Sequence, residues 1–68
     1  MNKITVREDS LNSEIIIKED TVIHYNDCTC NVKFIIESNA KLFIYLENSK
    51  LTTDFNIKHN INLKSHNI

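Results

Sequence analysis

Three residues near the middle of the chain, His24, Cys28 and Cys30, are of types that bind metals or act as nucleophile and base. Thiolate and imidazole suit zinc or an iron–sulfur cluster, and a turn after His24 would bring the three together. The spacing argues the other way. Structural zinc sites use four ligands, with roughly two to four residues between paired cysteines. Cys28-Thr29-Cys30 leaves one residue between, and His59 or His66 would have to complete the set. A free cysteine is most often a small buried hydrophobe. The two thiols are therefore expected to pack, with no metal and no cofactor. Such a pair does not easily close an unstrained disulfide, and two cysteines make no secreted framework.

Catalysis fares no better. Cys28 with His24 or His59 has the types of a nucleophile and its base, but no carboxylate or oxyanion donor stands at a recognisable spacing to orient them. His59 falls on an apolar face, where a half-buried histidine is the ordinary outcome. Phe34, Phe43, Phe55, Tyr25 and Tyr45 have faces on which single-stranded bases stack, yet that mode needs a basic groove alongside. Lys33, Lys41, Lys50, Lys58 and Lys64 are instead dispersed among carboxylates. A net charge of −1 argues against duplex binding as well. The expectation is a protein that is not an enzyme and does not bind nucleic acid.

The elements that position these residues must come from 68 residues, enough for one domain spanning 1–68. A chain of this size buries only about 60% of its unfolded surface and is marginal alone. It contains neither glycine nor proline, so its turns must use Asn, Asp and Ser, which tolerate left-handed or self-bonded backbone. No apolar run approaches the roughly 18 residues of a membrane-spanning helix. The opening Met1-Asn2-Lys3-Ile4-Thr5-Val6-Arg7-Glu8 lacks the apolar centre of a signal peptide. A cytoplasmic protein with no membrane association is expected.

Strand signals dominate. Ile15-Ile16-Ile17 is poor helix material, because branching at Cβ suits a pleated surface. Short strands are expected at residues 4–6, 14–17, 21–25 and 32–36, and across 40–46, with polar breaks at 7–10, 18–20, 26–31, 37–39 and 47–50. Residues 55–64 alternate, with Phe55, Ile57, His59, Ile61 and Leu63 on one face and polar residues on the other, which predicts one long strand.

A repeat emerges when the breaks are aligned. Ile4-Thr5-Val6-Arg7-Glu8-Asp9-Ser10 matches Ile15-Ile16-Ile17-Lys18-Glu19-Asp20-Thr21, then Phe34-Ile35-Ile36-Glu37-Ser38-Asn39-Ala40, and loosely Phe55-Asn56-Ile57-Lys58-His59-Asn60-Ile61. On this alignment Thr21-Val22-Ile23-His24-Tyr25 lies over Ala40-Lys41-Leu42-Phe43-Ile44, Asp20 over Asn39 and Ile17 over Ile36. Spacings near 20 predict a minimal β-helix of about three coils, each coil stacked on the last around one apolar core. The alternative all-β solution is a small antiparallel sandwich or barrel.

The segment Ile35-Ile36-Glu37-Ser38-Asn39-Ala40-Lys41-Leu42-Phe43-Ile44 resembles the core coil of the SufB/SufD scaffold proteins of iron–sulfur cluster assembly. Ile15-Ile16-Ile17-Lys18-Glu19-Asp20-Thr21-Val22-Ile23 is similar to the preceding coil, so the resemblance covers residues 14–47. It implies a right-handed parallel β-helix that assembles with another β-helix subunit. The glycine usual in that family's coil turn is absent, and none of its cluster-related residues maps onto Cys28, Cys30 or a histidine of this chain.

A short open sheet leaves unpaired strand edges. Phe55, Ile57, His59, Ile61 and Leu63 are the expected partner-binding residues, through pairing with a second copy or with another β-helix subunit. The function expected is that of a non-catalytic interaction or scaffold protein. The alternative is a small phage- or host-encoded inhibitor or binding protein that adds a strand to a larger partner.

Overall fold

The computed structural model describes residues 1–37, 39–55 and 61–66, the last six and Phe55 by backbone alone. The branched and aromatic runs form seven strands: β1 (Asn2–Val6), β2 (Ser10–Ile17), β3 (Thr21–Asn26), β4 (Thr29–Ile36), β5 (Leu42–Glu47), β6 (Lys50–Phe55) and β7 (Ile61–His66). Odd strands make one sheet in the order β1-β3-β5-β7, and even strands the other in the order β2-β4-β6. Every pairing among the described residues is parallel. The antiparallel alternative is therefore not realised. Parallel neighbours cannot be joined by a tight hairpin, and here each connection between them runs through a strand of the other sheet.

Register sets the core. Ile4, Ile23, Ile44 and Leu63 form one row, and Ile15, Phe34 and Phe55 another. Ile17 lies beside Ile36, as the repeat predicts. Alternate side chains of β3, β4 and β5 point between the sheets, and Ile23, Tyr25, Val32, Phe34, Ile36, Leu42 and Ile44 are all essentially inaccessible. At about 25 cal/mol per Å² of apolar surface, this shared core is the main stabilising term. The outer face of the even sheet carries Glu14, Lys33 and Asp54 in one row, opposite charges at adjacent positions.

Three details correct the expectations. Partners lie 19 residues apart between β1 and β3 (Ile4 with Ile23) and 21 apart between β3 and β5 (Ile23 with Ile44). The match of residues 4–10 to 15–21 is thus one strand's likeness to the next, not one coil's to another. Secondly, Thr21 pairs with Leu42, not Ala40, because the turn at 37–41 is two residues longer than the turn at 18–20. Asp20 Oδ1 accepts from the Lys41 amide at 2.9 Å, so Asp20 stands over Lys41 and not over Asn39. Thirdly, the expected strand over 55–64 is split. Phe55 ends β6 in one sheet, while Ile61 and Leu63 belong to β7 in the other.

The other corner solves the lack of glycine. Asp27 and Asn48, 21 residues apart, both take left-handed backbone, with φ of 54° and 50°. Asp and Asn are the side-chain-bearing residues that accept this conformation most readily. Asn48 Nδ2 donates to Asp27 Oδ1 at 2.9 Å, and the Asp27 amide donates to the Glu47 carbonyl at 3.0 Å. Asn48→Ala is expected to cost about 1–2 kcal/mol, from backbone strain plus the lost bond. Asn48→Gly, which keeps the backbone free, is expected to cost less, and urea unfolding of the two variants measures the difference.

Candidate functional site

Of the two thiols only Cys28 lies in the connection between β3 and β4. β4 begins at Thr29, so Cys30 is a strand residue, and both cysteines face the core as free thiols with relative exposures of 4% and 2%. Their sulfurs lie 3.8 Å apart. The left-handed residue Asp27 turns the chain so that Cys28 points inward directly before the strand, and the alternation of β4 then returns Cys30 to the same side. Cys28 Sγ is 3.7 Å from the Val6 carbonyl oxygen and 3.8 Å from Ser49 Oγ, and Cys30 Sγ is 3.5 Å from the Glu8 carbonyl oxygen. The Cys28 amide donates to Ser49 Oγ at 3.1 Å, and Ser49 Oγ donates to the Glu47 carbonyl at 2.9 Å.

Burial pushes the Cys28 thiol above its ordinary value, against the hydrogen bond with Ser49, and the neighbouring Cys30 and Asp9 push the same way as burial. Tyr25, 1% exposed, is raised too, first by burial and then by the two thiols beside it. Its hydroxyl is buried with no hydrogen-bond partner. Both thiols and the orphaned phenol belong to the one buried core. The depression outside it is open and includes Asp9, Cys28, Ser49 and Lys50 in its lining.

His24 does not join this group. It alternates outward from Tyr25 and is exposed, with its ring stacked on Tyr45 at 4.9 Å between centroids and 16° between planes. The three residues whose types suit a metal are therefore apart, His24 on the outer face of the odd sheet and the two thiols in the core, where packing is what the sequence leads one to expect. On the outer face, Met1, Val22 and Phe43 adjoin the His24–Tyr45 stack around a shallow apolar depression. Among the described residues no three His, Cys, Asp or Glu side chains come together as a metal-binding group.

Of the expected partner-binding residues, Phe55 closes β6, and Ile61 and Leu63 pair with Leu42 and Ile44. Ile57 and His59 lie outside the described residues. β6 and β7 are the last strands of their sheets, so the segment does supply two sheet edges, though not as one strand. No family model, curated protein or solved structure matches the chain.

Proposed function

We propose that the chain is a non-catalytic interaction or scaffold module, a short right-handed parallel β-helix of about three coils that acts through its β6–β7 end. Both sheets are all-parallel and stop at unpaired strands, and that observation carries the reading. The right hand follows from the strong preference of parallel crossovers. The two ends differ. β2, at the first end, has a register shift between Ser10 and Ser13 and exposes Leu11 there, and such a bulge blunts an edge strand. β6 and β7 pair along their lengths with no shift. The guard covers only the even sheet, since β1 pairs with β3 without a shift; association through the β6–β7 end closes on itself as a two-fold dimer. The same end accepts a different β-helix subunit. Together with the resemblance over residues 14–47, this favours a cytoplasmic role beside the scaffold of iron–sulfur cluster assembly.

Sedimentation equilibrium tests the reading. A concentration-dependent dimer is expected. Successive residues of a parallel strand direct their N–H groups to opposite sides. Of Asn62→Pro and Leu63→Pro, one is therefore expected to abolish the dimer while keeping the β circular dichroism, and the other to damage the fold. A strict monomer at the highest soluble concentration, with no co-elution with a SufB/SufD-type subunit, would reject it.

A further inference from the structure

We propose that the outer face of the odd sheet binds single-stranded nucleic acid, with bases stacked on His24, Tyr45 and Phe43 and phosphates held by Lys3, Arg7 and Lys41. Register builds the platform. Thr5, His24, Tyr45 and Lys64 occupy one row across the four strands, and Lys3, Val22, Phe43 and Asn62 another. The three rings therefore stand on β3 and β5, the two central strands of the sheet. Outward aromatics on a four-stranded sheet are one way in which proteins stack about two or three unpaired bases.

The rings are arranged for it. Those of His24 and Tyr45 are parallel to within 16°, with centroids 4.9 Å apart, so a base can extend an existing stack. On the His24 side the neighbour in register is Thr5, whose side chain is small. Phe43 lies two residues from Tyr45 on the same side of β5, about 6.6 Å along the strand. It adjoins the stack across the shallow depression that Met1 and Val22 also line, where a second base can rest.

Charge selects the occupant. Along the sequence the lysines are dispersed among carboxylates, but the fold sorts them. Of the nine acidic residues, six lie in the connections between strands, and Glu14 and Asp54 belong to the even sheet. Only Glu47, at the end of β5, belongs to an odd strand. Lys3 is exposed on β1, exposed Arg7 directly follows β1, and exposed Lys41 directly precedes β5. The Asp20 carboxylate beside Lys41 is turned to that residue's backbone amide. An uncharged flat ligand such as a sugar gains nothing from these cations. A single strand uses both features, planar rings and an anionic backbone. Because the face is shallow, a free nucleotide keeps most of its surface in water, whereas a strand crossing the sheet sums several contacts. The rings of a duplex are hidden by pairing. This face is centred on β3 and β5, so binding does not depend on the β6 and β7 edges proposed above for association.

Fluorescence anisotropy of labelled oligo(dT) and oligo(U) with the full chain tests the proposal. Saturable binding to both is expected, with log affinity falling against log salt at a slope of about −2 for three phosphate contacts. Tyr45→Ala is expected to weaken binding about 10-fold with the circular dichroism of the parent, and Tyr45→Phe to retain it. Lys3→Glu, at an exposed position that no packing depends on, is expected to weaken binding and reduce the salt slope. No anisotropy change at the highest soluble concentration, or unchanged affinity in folded Tyr45→Ala or Lys3→Glu, would overturn the proposal. So would equal competition by the same sequence as a duplex, by polyglutamate, which has charge without rings, or by free uridine monophosphate at the same nucleotide concentration.

Discussion

Phe34→Ala is expected to leave most of the chains unfolded at room temperature. Phe34 has no exposed surface and stands in the central strand of the even sheet, in register with Ile15 on one side and Phe55 on the other. It faces the odd sheet, so its ring fills the space that both sheets share. Truncating a buried phenylalanine costs about 3–5 kcal/mol, the lost transfer energy plus the cavity left behind. The whole stability of a domain of this length is of order 0.05–0.15 kcal/mol per residue, so about 3–10 kcal/mol in all. The two quantities are close, and that closeness decides the outcome. Phe43→Ala is the contrast, because Phe43 lies on the outer face beside Val22 and is only half-buried. It is expected to cost about 1 kcal/mol and leave the fold intact. Urea titration followed by circular dichroism reads both variants. A wild-type midpoint for Phe34→Ala would mean that Phe34 is not at the centre of the core.

The same contrast explains what could be read in advance. Strand positions were legible because β-branched and aromatic runs are separated by charged turns, and parity fixes the face once a strand is known. The stacking of Ile17 beside Ile36 followed from that pattern. The pairing of Thr21 with Leu42 did not, because nothing in residues 37–41 announces a turn two residues longer than 18–20. A two-residue slip preserves parity, so the inward set survived the error in register. Residues 55–63 misled for a related reason. Period two continues through a corner when the corner contains neither glycine nor proline, and the alternation then hides the passage from β6 to β7. The polar residues 26–31 read as a loop, although only the first part of that stretch turns and Cys30 belongs to β4. His24 and Tyr25 differ by one position and face opposite ways, which puts the histidine outside, apart from the thiols, and the phenol in the core. An orphaned hydroxyl has no sequence signal at all. Tyrosine is a common core residue that usually finds a partner when buried, and only geometry shows that this one does not.

That geometry predicts a stabilising substitution. Tyr25→Phe removes a buried hydroxyl with no hydrogen-bond partner and leaves the ring in place. Leaving such a group unsatisfied costs about 1–3 kcal/mol, so the variant is expected to gain stability of that order at neutral pH. The gain should widen in alkali. Burial, then the charges of Cys30 and Cys28, hold the folded-state pKa of Tyr25 above its ordinary value of 10.0. An unfolded chain ionises this phenol near pH 10 while the folded chain does not. Above that pH the unfolded state therefore binds fewer protons, and stability falls as pH rises. The loss is up to about 1.4 kcal/mol per pH unit for one group, until the folded-state pKa is reached. Cys28, raised from 9.0 by burial, contributes in the same direction from about one unit lower. Tyr25→Phe deletes the phenol's share and leaves the thiol's, so its alkaline unfolding midpoint should move up while its slope between pH 9 and 10 stays that of the parent. Thermal unfolding across pH 7–12 measures both. A destabilised Tyr25→Phe at neutral pH would mean that the hydroxyl has a partner.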